Sequence, residues 1–436
     1  MDQILILGID GGTWDILDKY IRLGDMPQLA KITRLNRGIL SSTQPPITPA
    51  AWSSFHTGKN PGVHGVIDFI VRDPLTHQID VVDSAFLGTN TIWHQLAKKH
   101  LTSAVFNVPM TYPPQNLPGL VASGILTPDP DSPWTYPHQL KSQILKDLPD
   151  YQPVSLKIPS AAQVHQHPQQ FLNFVSDALK QRTNLGLWCI QSHPVSVMMI
   201  QFQVIDWLQH SMWPYLSAPK PKASVRKVFK QLDEHISSLW QAWQDAHPSP
   251  QILILSDHGF QAHKARVLLG NYFYVNGILD KRGGTKQKIN HLIKPTGLEI
   301  KDNSPFDLLG RSSWGQVYTN PGHDNRQVYK LLKTICAKLV DPATHQPVIK
   351  KVWSKHELYS GPKVKQLPDY LIEPINGYTI TAAIDKSGQL FQPIIPGKDF
   401  HLGIHHMNGI ITTSIATPLP KRIDQVAKYI VSHATK

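Results

Sequence analysis

The pattern of apolar and polar positions along the chain predicts an α/β fold. Short runs of consecutive Ile, Leu and Val are typical of strands that are buried on both faces of a sheet. Longer stretches with apolar residues three or four positions apart predict helices. The predicted strands are residues 3–9, 103–107, 195–201 and 251–256. The predicted helices are residues 13–23, 50–57, 91–98, 169–181 and 222–246.

Strands that alternate with helices favour a largely parallel central sheet with helices on both faces. A length of 436 residues is compatible with one large catalytic domain spanning residues 1–436. Three segments interrupt the alternation, at about 109–159, 281–310 and 361–397, and the first is rich in proline. We interpret them as inserted cap or rim segments.

Charge changes this picture little. The formal net charge is +12, but the lysines and arginines are spread along the chain and no aromatic-rich RNA-binding motif accompanies them. Nucleic acid is therefore an unlikely partner. The surplus of positive charge is instead compatible with a small anionic substrate.

Several features of the sequence predict a cytoplasmic protein. The longest mostly apolar stretch, 195–205, is far shorter than the roughly 20 residues that span a bilayer. No transmembrane segment is therefore predicted. The apolar run near the N-terminus ends in Asp10 and is interpreted as a strand rather than a signal peptide. Cys189 and Cys336 have no metal-binding spacing and are predicted to be reduced, buried thiols.

Two predicted strands lead directly into carboxylates followed by glycine. The strand at 3–9 ends before Asp10, and the strand at 251–256 ends before Asp257 and His258. Ligands of open α/β sheets bind at the carboxyl ends of the strands, so we expect these side chains to converge if both strands share one parallel sheet. Two carboxylates and an imidazole match the ligands of a zinc or manganese ion.

Two further segments offer metal ligands. Asp206 and His210 are four residues apart, which places both side chains on one face of a helix. Two histidines at this spacing hold one metal in a helical HExxH motif. Near the C-terminus, His405 lies in a glycine-flanked segment, 403–409, that is predicted to be a loop.

A hydroxyl at the start of a predicted helix is the candidate nucleophile. Thr48 is placed as the N-cap, Pro49 as the first helical residue, and Gly58 where the helix ends. The N-terminus of a helix is a ready phosphate-binding site, because unpaired N–H groups and the positive end of the dipole meet there. Taken alone, however, Thr48 could serve merely as a helix cap.

In their order along the chain and in the residues around them, these motifs resemble the alkaline phosphatase superfamily. The resemblance is strongest to its type I phosphodiesterases and nucleotide pyrophosphatases. The resemblance spans residues 3 to 410 and is dense around Thr48, Thr57-Gly58 and His64-Gly65. The stretches 52–55 and 107–114 resemble a prokaryotic subgroup of predicted phosphohydrolases or phosphomutases.

The resemblance implies a two-metal phosphohydrolase that acts on a small phosphoester, either a monoester or a diester. Thr48 would attack phosphorus, giving a phosphothreonine intermediate that water hydrolyses. Two divalent ions are implied, zinc with manganese as the alternative. One ion would be held by Asp206, His210 and His405, and the other by Asp10, Asp257, His258 and the oxygen of Thr48.

Alternatives remain at this stage. A phosphomutase or phosphotransferase would use the same site. A protein that binds a ligand without catalysis is the alternative from a different functional class. A sulfatase is disfavoured because the segment after Thr48 lacks its Cys/Ser-x-Pro-x-Arg pattern. The nucleotide pyrophosphatases carry an asparagine three residues after the threonine, whereas this chain has Ala51. The residue that stabilises the phosphoryl oxygen, the physiological substrate and the oligomeric state are therefore left open.

Overall fold

An eight-stranded sheet forms the centre of the fold. The computed structural model describes residues 2–73, 78–153, 159–279, 304–384 and 388–435. Up to residue 217 the elements are β1 (Gln3–Ile9), α1 (Trp14–Arg22), α2 (Pro27–Thr33), β2 (Arg37–Ser41), α3 (Thr48–Thr57), α4 (Pro61–His64), β3 (Ile70–Arg72), β4 (Ile79–Val81), α5 (Ile92–Ala97), β5 (Ser103–Phe106), β6 (Gly119–Ala122), β7 (Thr135–Tyr136), α6 (Gln139–Asp147), α7 (Ala161–Gln166), α8 (Pro168–Ser192), β8 (Val197–Phe202) and α9 (Val204–Ser217). The elements that follow are α10 (Ala223–Ala246), β9 (Pro250–Leu255), β10 (Gly259–Ala262), β11 (Ala265–Leu268), α11 (Leu269–Val275), β12 (Phe306–Leu309), β13 (Arg311–Ser313), β14 (Gly315–Thr319), α12 (Asn325–Cys336), β15 (Ile349–Ser354), α13 (Lys355–Leu358), β16 (Tyr370–Pro374), β17 (Tyr378–Thr381), β18 (Phe391–Pro393), β19 (Gly403–His406), β20 (Asn408–Thr413) and α14 (Val426–Ala434).

The strand order of the central sheet is β2-β20-β9-β1-β8-β5-β6-β7. The five strands from β9 to β6 are parallel, and antiparallel strands lie at both edges. This arrangement confirms the predicted α/β class with a largely parallel sheet. Two of its strands, β6 and β7, lie inside the segment 109–159 that the sequence suggests is an insertion, so that segment also extends the sheet.

Helices cover both faces of the sheet because its strands are apolar on both sides. Leu5, Leu7 and Ile9 of β1 pack on one face with residues of α8, α9 and α10. Ile4 and Ile6 pack on the other face with residues of α3, α5 and α14. The alternation within one strand therefore anchors α3, the helix that begins at Thr48, on one side of the sheet and the helices α8, α9 and α10 on the other.

The predicted strands and helices are all present, and one helix is much longer than predicted. The sequence pattern ends that helix at residue 181, whereas α8 continues to Ser192. Arg182 and Thr183, just beyond the predicted end, are buried in this helix. Further along, a Cβ on Gly186 would lie 2.2 Å from Ile200 Cδ1, so glycine permits α8 to approach β8 closely.

A second lobe has a hydrophobic core of its own. It contains the sheets β13-β17-β11-β18 and β12-β14-β16-β15. Buried residues between Ala265 and Ala382, from these sheets and from α11 and α12, form its core. The single-domain division and the three insertion bounds stay predictions, and residues 281–303 of the second insertion lie outside the described residues.

Two further expectations concern the cysteines and the membrane. Cys189 and Cys336 are both free and buried, as predicted. Among the residues that the structure describes, none of the helices combines the length and the apolarity needed to cross a membrane.

Candidate metal centre and nucleophile

The carboxyl edge of the parallel sheet gathers the residues that the sequence singled out. β1 pairs with β8 on one side and with β9 on the other, in registers that bring their carboxyl ends together. Asp10 follows β1, Asp257 and His258 follow β9, and Asp206 lies in the first turn of α9 just after β8. Parallel pairing therefore places at one edge side chains that are far apart in the sequence.

Asp206, His210 and His405 form the first cluster. Asp206 Oδ1 lies 3.5 Å from His210 Nε2 and 3.2 Å from His405 Nε2. The two Nε2 atoms are 3.0 Å apart. Donor atoms around a four-coordinate zinc ion are separated by about the same distance, roughly 3.3 Å. The three side chains could therefore hold one metal ion.

Asp10, Asp257 and His258 form the second cluster, which is fully buried. His258 Nε2 lies 3.2 Å from Asp257 Oδ2 and 3.7 Å from Asp10 Oδ1. The imidazole rings of His258 and His405 stack with their centroids 3.7 Å apart. This stacking makes the two clusters direct neighbours.

Backbone carbonyls orient the three histidines. Nδ1 of His210 lies 2.8 Å from the carbonyl oxygen of Gly403, and Nδ1 of His405 lies 3.0 Å from that of Pro46. Nδ1 of His258 lies 3.2 Å from the carbonyl oxygen of Gly259. A carbonyl only accepts, so each Nδ1 carries the proton and each Nε2 presents a lone pair to its cluster. Metal-binding histidines are commonly held in this way.

The polar atoms of the clusters fit divalent cations. Asp10 Oδ1, Asp206 Oδ1 and Asp257 Oδ2 are buried and receive no hydrogen bond from the described residues. Burial raises the pKa of Asp10 well above its usual value, and the negative charges of Asp257 and Asp206 raise it further. Burial likewise raises the pKa of Asp257. Positive charge between these carboxylates would remove the cost of burying them as anions.

The hydroxyl of Thr48 lies beside the second cluster. Thr48 is buried, and its Oγ1 lies 3.3 Å from His258 Nε2. The predicted N-cap position is wrong by one residue, because Thr48 is the first residue of α3 and the N-cap is Ile47. The side chain of the N-cap residue, Ile47, makes no capping hydrogen bond. The Thr48 hydroxyl is thus directed to the cluster rather than to the helix backbone.

The segment 403–409 is a pair of strands rather than the predicted loop. β19 pairs with β10 in antiparallel register, and Phe260 lies opposite His405. Flanking glycines suggested a loop, but Gly403 is needed for close packing, since a Cβ there would lie 2.5 Å from the Gln209 backbone oxygen. The pairing fixes His405 against the cluster by backbone hydrogen bonds.

Some residues that hold the carboxylates were not found from the sequence. Trp52 Nε1 donates to Asp10 Oδ2 over 3.2 Å, and Gln201 Nε2 donates to the same oxygen. The backbone N–H of Gly11 donates to Asp257 Oδ1 over 3.1 Å. Gly11 has a φ of +66°, and a Cβ there would lie 2.4 Å from the Phe260 ring, so only glycine fits this turn. The glycine pair after Asp10 was the one signal available.

His56, which lies on α3 with Thr48, leads to a prediction about acid stability. Its Nε2 donates to the Pro109 carbonyl and its Nδ1 accepts from Trp93 Nε1 over 2.9 Å, so the neutral ring satisfies both contacts. Burial lowers the pKa of His56 to about 4. The unfolded chain therefore takes up the proton first as pH falls below about 6.5, and stability is lost between that pH and about 4.

We expect His56→Gln, which keeps a donor and an acceptor, to remove this part of the acid sensitivity. Between pH 7.5 and pH 4, the parent should lose about 3 kcal/mol more unfolding free energy than the variant. Urea unfolding at both pH values measures the difference. The exposed His138, changed to Gln, is the control and should follow the parent. Parallel pH profiles for the parent and His56→Gln would contradict the prediction.

A largely parallel sheet with two Asp/His clusters and a hydroxyl at its carboxyl edge defines the alkaline phosphatase fold. Residues 4–407 match the model of the family described as type I phosphodiesterase / nucleotide pyrophosphatase. The chain belongs to this family and is a metal-dependent phosphoric ester hydrolase. No relative of curated function matches the sequence.

Three solved structures with this fold share little sequence identity with this chain. Phosphonoacetate hydrolase from Sinorhizobium meliloti, in complex with phosphonoformate, has a TM-score of 0.63 and 15% identity over 99% of this chain and 96% of that chain. Human ectonucleotide pyrophosphatase / phosphodiesterase 5 has a TM-score of 0.57 and 13% identity over 99% and 95%. Its murine counterpart has a TM-score of 0.55 and 14% identity over 99% and 95%. At these identities the likeness extends to the fold alone.

Proposed function

We propose that the protein hydrolyses a small phosphoester with two divalent ions, through attack of the Thr48 hydroxyl on phosphorus. The observation that carries the proposal is the position of Thr48 Oγ1, which is buried beside the paired clusters and 3.3 Å from His258 Nε2. Thr48 is the first residue of its helix rather than the N-cap, so its hydroxyl does not serve as the helix cap. A nucleophile needs this combination of freedom and contact with activating groups.

One ion would be held by Asp206, His210 and His405, and the other by Asp10, Asp257 and His258 with the Thr48 oxygen. Zinc is the preferred ion and manganese the alternative, because the donors are imidazole nitrogens and carboxylate oxygens. Such ions activate the attacking oxygen and offset negative charge on the phosphoryl group.

The chain's own groups position the reaction. Thr48 is the first residue of the ten-residue helix α3, so the free N–H groups and the positive end of the dipole face the phosphoryl oxygens. Attack forms a bond between Thr48 Oγ1 and phosphorus and breaks the bond to the leaving alcohol, which departs with a proton. Water then cleaves the phosphothreonine and returns the hydroxyl. An acceptor alcohol in place of water would make the enzyme a phosphotransferase or phosphomutase.

Metal content and product identity test the proposal together. We expect the metal-free protein reconstituted with Zn²⁺ or Mn²⁺ to bind two ions per chain and to release 4-nitrophenol from 4-nitrophenyl phosphate or its bis-ester. The chelated protein should be inactive. Phosphate or a phosphomonoester should account for all product in water, whereas glycerol phosphate formed in added glycerol would indicate transfer. Full binding of two ions without turnover of any ester would contradict the proposed chemistry.

The cytoplasmic location remains part of the proposal. The two free, buried thiols support it, since reducing compartments keep cysteines unpaired.

A further inference from the structure

A cavity of about 460 Å³ opens directly from the first cluster. Its lining includes Asp206, His210 and His405 together with residues of the second lobe, among them Trp314 and Tyr378. Cavities of roughly 300 to 1,000 Å³ hold ligands much larger than a phosphate group. The space therefore belongs to a substituent carried by the phosphoryl group.

The walls of this cavity are largely apolar. Trp207, the next residue after the cluster residue Asp206, also lines the cavity. Aromatic and aliphatic side chains from several separate segments of the chain continue it. The main contributors are Phe69, Ile125, Leu126, Trp207, Trp314 and Phe400.

Leu126, one of the residues that line the cavity, has a strained backbone conformation. Its φ is +82°, a conformation that a leucine rarely adopts. The side chain is nonetheless 6% exposed and packs in one cluster with Ile70 and Met110, against which Phe69 also lies. Strained residues of this kind persist only where the surrounding structure enforces them, and they concentrate at ligand sites.

The charged groups in the walls give no means of holding a second anion. Asp68 accepts from the Phe69 N–H over 2.7 Å and from Gln316 over 2.7 Å. Glu373 accepts from Lys350 over 2.9 Å and from Trp353 over 2.8 Å. Among the side chains that the structure describes, neither lysine nor arginine lines the cavity. A substituent with its own phosphate or carboxylate would meet apolar surface, carboxylates and neutral polar groups such as Asn376 and Thr379, but neither a lysine nor an arginine side chain of the described residues.

We propose that this cavity binds the alcohol part of the substrate and selects an uncharged, largely apolar alcohol. The inference rests on the proposed function, because the phosphoryl group must lie at the clusters for its substituent to fill the cavity. Burial of apolar surface supplies the selectivity, at about a fourfold gain in affinity for each methylene fully removed from water.

Binding of phosphonates to the zinc-loaded protein tests this inference without turnover. Isothermal titration compares methylphosphonate, hexylphosphonate and 2-carboxyethylphosphonate, which share the anionic group and differ in the substituent. We expect hexylphosphonate to bind at least about tenfold more tightly than either of the other two. Equal affinity for all three would overturn the inference alone. Failure of all three to bind would overturn the proposed binding of the phosphoryl group at the clusters, and the inference with it.

A phosphonate with a longer alkyl group distinguishes two possible sources of an apolar alcohol. Further tightening from hexyl- to dodecylphosphonate would assign a lipid ester, whereas no further gain would assign a short-chain or aryl ester. Both results agree with an apolar site, and weaker binding at each added methylene would contradict it.

A matched pair of variants locates the effect in the cavity. Phe69 and Phe86 are both partly buried and pack against the same hydrophobic cluster, but only Phe69 lines the cavity. Phe69→Ala should lower the affinity for hexylphosphonate by about tenfold and the affinity for methylphosphonate by less than about twofold. Phe86→Ala should leave both unchanged. If the Phe69→Ala protein has a lower melting temperature than the Phe86→Ala protein, Phe400→Ala gives the same test at another residue of the cavity wall. Unchanged hexylphosphonate binding by the Phe400→Ala protein would overturn the proposal.

Discussion

Replacing Thr48 with alanine is expected to lower phosphoester turnover by at least about 10³-fold while both metal ions remain bound. The hydroxyl is the atom that bonds to phosphorus in the proposed reaction, and its Oγ1 lies 3.3 Å from His258 Nε2. The six Asp and His donors are unaffected by the change, so the ions stay. Only a slow direct attack by water would remain. Steady-state turnover with elemental analysis of the same sample measures both quantities.

Two further variants complete this test. Thr48→Ser keeps a hydroxyl at the start of α3 and should retain partial activity. Thr57, at the other end of the helix, is also buried, and its hydroxyl donates to the Ser53 carbonyl over 2.7 Å. Thr57→Ala should cost about 1 kcal/mol of stability and leave turnover nearly unchanged. A Thr48→Ala protein that behaves like Thr57→Ala, with turnover close to the parent, would show that Thr48 is structural.

The second large effect concerns which residues share an ion. We expect Asp206→Ala and His405→Ala to deplete one ion, and Asp257→Ala to deplete the other. Each variant should fall from two ions per chain to about one and lose most activity. The expected loss of affinity exceeds about 100-fold, because removing a residue that merely supports a ligand already costs roughly 10- to 100-fold.

Double variants decide the partition. Asp206→Ala with His405→Ala should still bind one ion, whereas Asp206→Ala with Asp257→Ala should bind none. Asp233 is the control, since it is buried, belongs to neither cluster and accepts from the Gln28 and Leu29 N–H groups. Asp233→Ala should be less stable and keep both ions. Depletion of the same ion by the Asp206 and Asp257 changes would refute the assignment of ligands.

The sequence by itself determined the sheet and the candidate residues that follow its strands. Runs of consecutive apolar residues that predict buried strands are local features of the chain, and two of these runs lead directly into the carboxylates Asp10 and Asp257. The Asp206–His210 pair is equally local, because four residues make about one helical turn. These patterns predict α9 and the ends of β1 and β9 without knowledge of any distant contact.

Only the tertiary structure decided how those residues meet and what surrounds them. The loop expected at 403–409 became β19 because it pairs with β10, more than 140 positions earlier, and periodicity carries no sign of so distant a partner. The donors Trp52 and Gln201 reach Asp10 from α3 and β8 in the same way. The apolar cavity is formed by side chains of separate segments, from Phe69 to Phe400. Local sequence determines which helices and strands form. The cavity between them forms only when one lobe packs on the other.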